Sequence, residues 1–246
     1  MNEEQLRLLK EKLAYLNLTD IRARYEDLSR EAAKRGLSND DFFSEAIDAE
    51  CRARRERSAK RRVHHAHFPA VKTFAGFDWS AQVTVNRELV QHLMTLQFLE
   101  GRRNVVFMGP PGTGKTHLAT AIGYEACLKC HDVRFETAMG MVNTLKKAQL
   151  DGTLIRKMKL YTYPELLILD EMGYLSVDHD GASLLFQVLA LRYEHGSTVI
   201  TTNLSYNEWP RLFGNDAALA SAVLDRLLHN GDTILIDGKS FRTERE

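Results

Sequence analysis

Beyond residue 70 the chain switches between two hydrophobic periods, and that alternation constrains the fold more than any other feature. Short apolar runs, NVVFM (104–108), VRFET (133–137), LLILD (166–170), STVITT (197–202) and DTILI (232–236), are separated by stretches with helical spacing. Such short runs, apolar at neighbouring positions, suit strands buried on both faces, and the stretches between them are long enough to cross over as helices. The expectation is an α/β fold: a five-stranded parallel sheet covered by helices on both sides. Only about ten residues follow the last run, so no further domain is expected after it.

The first sixty-odd residues read differently. Leu6, Leu9, Leu13 and Leu16, and then Ile21, Tyr25, Leu28 and Ala32, recur at three- and four-residue steps around a break at 17–20. Gly36 marks the end of the second helix, and Ser38 with Asp41 starts a third that should bury Phe42, Phe43, Ala46 and Ile47. From Arg52 the apolar stripe gives way to RARRERSAKRR, seven basic residues against one acidic, which reads as a solvated segment. Pro69 ends the helical pattern, and Phe74, Phe77 and Trp79 look like anchors of a linker lying on the next domain. The reading is an all-helical domain over 1–68 and an α/β core over 69–246.

Composition removes several function classes. With 44% hydrophobic and 27% charged residues the chain is an ordinary globular protein. Lysine plus arginine (33) balance aspartate plus glutamate (33), so any polyanion site must be a local concentration of charge. Three cysteines, Cys51, Cys127 and Cys130, are too few for a disulfide framework and point to a reducing compartment. The N-terminus MNEEQLRLLKEKL lacks the apolar core of a signal peptide, and no run is long enough to cross a bilayer. A soluble, cytoplasmic protein without a membrane partner is expected.

The most specific motif is Gly109, Pro110, Pro111, Gly112, Thr113, Gly114, Lys115 and Thr116, which follows the first apolar run and opens a helical stretch. Glycines let the main chain turn its N–H groups inward around a phosphate, and the helix N-terminus adds positive partial charge there. Lys115 would bridge the β- and γ-phosphates of ATP, and Thr116 would place its hydroxyl on Mg2+. At average composition the pattern arises by chance in roughly one chain in a hundred of this size. The third run supplies the element such a loop requires, since it ends in Asp170 and Glu171. Asp170 would hold the metal, and Glu171 would orient or deprotonate an attacking water. No N-K-x-D guanine-reading motif is present, and water is the favoured acceptor over a small hydroxyl substrate. Asn203, just past the fourth run, is a candidate helper for the γ-phosphate or the water. Arg226, on a helical pattern with Leu219, Val223 and Leu227, lies where ring-forming ATPases carry an arginine that reaches the neighbouring subunit's γ-phosphate.

Together these residues resemble the AAA+ ATPases, with GPPGTGKT as Walker A, LLILDE as Walker B, TTN as sensor 1 and LDR as the arginine-finger segment. More closely, the chain resembles the IstB-like ATP-binding proteins of bacterial insertion sequences, relatives of the DnaC helicase loaders and of DnaA. FPAVKTFAGFDW, LALRYEHGSTVITTNLSYNEW and GKSFR carry that closer likeness. The resemblance implies an ATP-dependent homo-oligomer that binds double-stranded DNA with little sequence preference, remodels it and stimulates a partner transposase. The chain departs from that pattern in places: it is expected to have no C-terminal helical lid and with it no sensor 2 arginine, for which Arg242 is not a safe substitute, and it has Ser176 where a proline is common and Trp79 where another aromatic is usual.

DNA contact would then fall on concentrated basic surface. The first candidates are Arg54, Arg57 and Arg61 on one helical arc, with Arg55 and Arg62 beside them. The second are Lys146, Lys147, Arg156, Lys157 and Lys159, which flank the helical insert between the second and third runs. A DnaC-like helicase loader would share every ATPase residue and use the N-terminal helices to grip a helicase. A non-catalytic module holding nucleotide as a structural ligand is a further alternative, and Glu171 argues against it.

Overall fold

The computed structural model describes residues 2–80, 85–174 and 178–238, so Ser176 and Arg242 lie outside the described residues. The chain divides into two compact units, Met1–Lys60 and Arg61–Glu246, and the division falls inside one continuous helix.

The first unit holds α1 (Glu3–Tyr15), α2 (Thr19–Arg35) and most of α3 (Asn39–Ala66). Asn2 caps α1 in a reciprocal box with Gln5, and Gly36 closes α2 with a left-handed backbone. The small core joins Leu13, Ile21 and Ala46, with Leu9, Tyr25, Leu28 and Ile47 packed on it. Phe43 departs from the sequence expectation. It is 67% exposed, because the apolar arc of α3 is narrower than the run of aromatics suggests, and Phe42 instead meets Tyr25 edge-on at 6.4 Å. The N-terminus of α2 has no side-chain cap of its own, and Glu50 supplies one from α3 by accepting the Asp20 and Ile21 N–H groups at 2.7 and 3.1 Å. Burial alone would raise the Glu50 carboxyl pKa, but those two donors and Arg57 at 2.9 Å hold it below the usual glutamate range. Arg54 is likewise engaged, donating to the Asn17 carbonyl at 2.9 Å. The segment from Arg52 is therefore less freely solvated than its composition suggests.

In the second unit α4 (Arg87–Leu93) and α5 (Gln97–Glu100) lead into β1 (Asn104–Met108) and α6 (Lys115–Leu128). β2 (Val133–Thr137), α7 (Ala138–Leu150), α8 (Leu154–Thr162) and β3 (Leu166–Met172) follow. Next come α9 (His179–Arg192), β4 (Ser197–Thr202), α10 (Trp209–Leu212), α11 (Ala217–His229) and β5 (Gly231–Leu235). The five strands form one sheet in the order β2-β3-β4-β1-β5, and every pairing is parallel. All six residues of β4 and the first four of β1 are buried, as a doubly covered sheet requires. One face packs Phe107, Leu118, Ile122, Ile168 and Val199 with the Phe77 segment, and the other packs Val106, Leu167, Leu169, Ile200 and Trp209 with α7, α9 and α11. Cys127 belongs to the first of these cores, and burial pushes its thiol up to about 12. Among the described residues no helix is long and apolar enough to cross a membrane.

A buried cation ties the second layer to the sheet. Arg192, 1% exposed at the end of α9, donates to the Tyr161, Pro164 and Ser197 carbonyls at 2.9, 2.8 and 2.6 Å and to the Thr198 hydroxyl at 3.1 Å. Burial lowers its pKa to about 10, still far enough above neutral for the guanidinium to stay charged. Its planar fork satisfies the turn after α8 and the start of β4 at once, a task no lysine performs. Arg192→Met should cost ~3–5 kcal/mol of unfolding free energy, because several buried acceptors lose their donor together. Urea unfolding checks this. A loss below about 1 kcal/mol would show that water replaces the fork.

Candidate nucleotide-binding site

The loop between β1 and α6 occupies the carboxyl end of a central strand, the usual ligand side of an open parallel sheet. It starts at Gly109, whose N–H donates to the Thr202 carbonyl at 3.1 Å. A Cβ there would lie 1.9 Å from the Ile236 carbonyl oxygen, so no other residue fits between the strands at that point. It ends at Gly114, which enters α6 in a left-handed conformation with φ 92°. Between them Thr113 is fully buried and donates to the Pro110 carbonyl at 2.9 Å. Lys115 is 7% exposed and donates to the Gly109 and Pro110 carbonyls at 2.8 and 2.6 Å, which arches the loop over its ammonium.

Thr116, the second residue of α6, donates to Asp170 at 2.8 Å. Asp170 is 5% exposed and also accepts the Thr201 hydroxyl at 2.5 Å. The same Thr201 oxygen accepts the Glu171 N–H at 3.0 Å. Two strands, β3 and β4, and the helix α6 thus share one hydrogen-bonded chain running Glu171, Thr201, Asp170, Thr116. Sequence reasoning missed Thr201, because only the pairing of β3 with β4 brings it opposite the carboxylates.

That pairing is irregular. Leu169 opposes Ile200 and Met172 opposes Thr202, so Asp170 and Glu171 stand against Thr201 alone. The bulge carries Glu171 into a left-handed backbone, φ 58°, which is costly for a residue with a long side chain. The effect is to aim two adjacent carboxylates differently. Asp170 stays buried against the loop, while Glu171 is exposed and faces a cleft of about 870 Å³.

The cleft is lined on one side by Gly112, Gly114, Lys115 and Thr116, and on the other by Glu171, Tyr174, Thr201 and Thr202. Its remaining wall is the segment from Lys72 to Asp78, which the sequence marked only as a linker. His117 secures that wall: its Nε2 lies 2.9 Å from the Thr73 carbonyl, and its ring meets Phe77 edge-on at 5.3 Å.

The residues present suit a magnesium triphosphate. Thr116 and Asp170 offer converging oxygen ligands of the hard kind magnesium requires, beside a buried lysine and a helix N-terminus. Asn203, one residue beyond β4, has a buried Oδ1 without a hydrogen-bond partner, lying close to Gly173. Arg226 does not line this cleft. It is on α11, donating to the Ala222 carbonyl at 2.8 Å, with its guanidinium 5.2 Å over the Phe186 ring. The basic candidates also lie outside it. Lys146 pairs with Asp178, Arg62 with Asp132 at 3.2 Å, and Lys159 sits 5.4 Å over the Tyr163 ring.

The same architecture recurs among solved structures. The chain is similar to DnaA from Aquifex aeolicus bound to AMPPCP, with TM-score 0.58 and 21% identity, over 69% of this chain and about half, 51%, of that one. It is similar to a DnaC helicase loader, with TM-score 0.54 and 24% identity, over 64% of this chain and 97% of that one. At these identities the likeness is one of fold. Sequence relatives are closer. A protein named for ATP binding and for insertion sequence IS5376, from Geobacillus stearothermophilus, is 38% identical over 92% of this chain and 90% of its own length. One named likewise for insertion sequence IS21, from Pseudomonas aeruginosa, is 38% identical over 95% and 88%. The family described as IstB-like ATP binding protein matches residues 11–246, a span that holds the phosphate loop, the bulged carboxylates and the strand between them, and the chain belongs to that family.

Proposed function

We propose that the protein hydrolyses MgATP and uses the bound nucleotide to control assembly on DNA during transposition. The observation that carries the chemistry is the bulge in β3, which separates a buried Asp170 from an exposed Glu171 beside a phosphate loop. Lys115 and the loop amides bind the β- and γ-phosphates, and Thr116 and Asp170 hold magnesium. Magnesium, when bound, neutralises charge on the phosphate oxygens. Glu171 takes a proton from water lined up with the γ-phosphate, while Thr201 fixes its main chain and keeps Asp170 turned toward Thr116. Asn203 is the proposed helper for that water: it does not line the cleft in this structure, and its buried Oδ1 is an acceptor left without a hydrogen-bond partner.

Arg226 lies apart from the cleft of its own chain, so its proposed role is to complete the cleft of a neighbouring copy. Hydrolysis would then depend on homo-oligomer formation. Arg226→Ala should leave ATP affinity within a few-fold of the parent and lower turnover by about 10³-fold or more. Equal loss of binding and turnover would mean that Arg226 only packs on Phe186.

The insertion-sequence names of the relatives support a transposition helper that binds double-stranded DNA and recruits and stimulates a transposase, then disassembles as ATP is consumed. Residues 1–68 are the proposed helical N-terminal domain and 69–246 the proposed ATPase. Likeness to the DnaC loader is one of fold and does not favour the loader reading. The test is phosphate release with and without duplex DNA, together with co-purification: capture of a transposase supports the proposal, and capture of a replicative helicase overturns it.

A further inference from the structure

Two basic stretches that stand almost a hundred residues apart in sequence meet in the second unit. Arg61, Arg62, His65 and His67, around the end of α3, line one groove together with Arg134 of β2 and with Lys159 and Tyr163 at the end of α8. The groove measures about 550 Å³ and contains four permanent cations against a single carboxylate, Asp132, in a chain whose overall charge is zero. Asp132 is matched by Arg62, and Arg134 is paired with Glu136 at 2.8 Å while its Nε stays buried without a hydrogen-bond partner. Arg61, His65 and Lys159 are exposed. Tyr163 is 72% exposed, and Lys159 lies over its ring, so the rim presents an ammonium above a flat aromatic surface.

The position matters as much as the charge. The groove crosses the start of the edge strand β2 and the turn into β3, at Asp132, Val133 and Pro164. The nucleotide cleft lies at the opposite, carboxyl end of the strands and shares no lining residue with it. A second polyanion is therefore accommodated without displacing ATP. The groove is open and far larger than a single phosphate, and its cations come from three separate elements, so its chemistry fits a row of phosphates better than one anion.

We propose that this groove is a contact site for the phosphate backbone of DNA, with Arg61 and Lys159 as its two outermost charges. The inference rests on the DNA-binding reading above and gives it an address. Each lost phosphate contact lowers the slope of log affinity against log salt by about 0.9 on duplex and about 0.7 on single strands.

The experiment is fluorescence anisotropy on the full chain with MgATP, using a duplex and a single strand of one sequence across a salt series. Arg61→Gln combined with Lys159→Gln should flatten the slope by about 1.8 on duplex and about 1.4 on single strand if both forms use the two contacts, and a form whose slope does not change does not use the groove. Lys12→Gln combined with Lys34→Gln removes equal charge from exposed sites on α1 and α2 and should leave the slope unchanged. Calorimetric ATP affinity should be the same in all three proteins, which separates groove from fold. If the parent binds DNA and the groove variant keeps its slope, the groove inference falls and the DNA-binding reading stands. If the parent binds no DNA, both fall. An unchanged slope together with lost binding of poly-L-glutamate would reassign the groove to an acidic polypeptide.

Discussion

Lys115→Ala is expected to weaken ATP binding by roughly two orders of magnitude and to abolish nucleotide-dependent assembly. The lysine is buried at the floor of the loop and donates to the Gly109 and Pro110 carbonyls, so its removal acts twice. The cleft loses its fixed positive charge, and the loop loses the bonds that hold its arch. A charge-assisted contact to phosphate is worth ~3 kcal/mol, or about a hundredfold in affinity. Titration calorimetry with MgATP reads the effect, and a melting curve confirms that the sheet is intact. Affinity within threefold of the parent protein would remove the phosphate loop from the mechanism.

Glu171→Gln should give the opposite separation, with ATP still bound and turnover reduced by about 10²–10⁴-fold, the usual contribution of a positioned general base. Glutamine has the same shape, can adopt the same left-handed backbone and keeps the N–H that Thr201 accepts. It changes only the ability to take a proton. Because the Glu171 side chain is exposed in the cleft and only its main-chain N–H joins the buried network, stability should change little. On the proposed function, the variant should remain on DNA in the presence of ATP while the parent is expected to dissociate. DNA-stimulated turnover at the parental rate would show that the carboxylate is not the base.

Much of this fold was legible because it is written locally. Each strand from β1 to β5 coincides with an apolar run to within two residues at either end, and Gly109 to Thr116 joins the first strand to its helix as the motif requires. What could not be read depends on contacts between distant residues. Nothing near Thr201 marks it as a partner of Asp170, since the hydrogen bond exists only after β3 and β4 pair with a bulge between them. Glu171 was picked out by type, but its left-handed backbone follows from the same bulge. Phe43 was misjudged because adjacent aromatics on α3 point in different directions and its apolar arc takes in Phe42 but not Phe43. Arg192 gave no signal at all: an arginine at a helix end reads as solvated, and the carbonyls that enclose it come from the Tyr161–Glu165 turn and from Ser197. The basic segments were visible as composition, while their convergence around Arg134 was not.

The interposed β4 has a mechanical corollary. The strand that launches the phosphate loop and the strand that delivers the carboxylates are not neighbours, so two ladder widths, roughly 9.5 Å, stand between them. That gap is set by main-chain geometry and is indifferent to which side chains coat the sheet. The reach from cradle to acid is gauged by the peptide backbone itself.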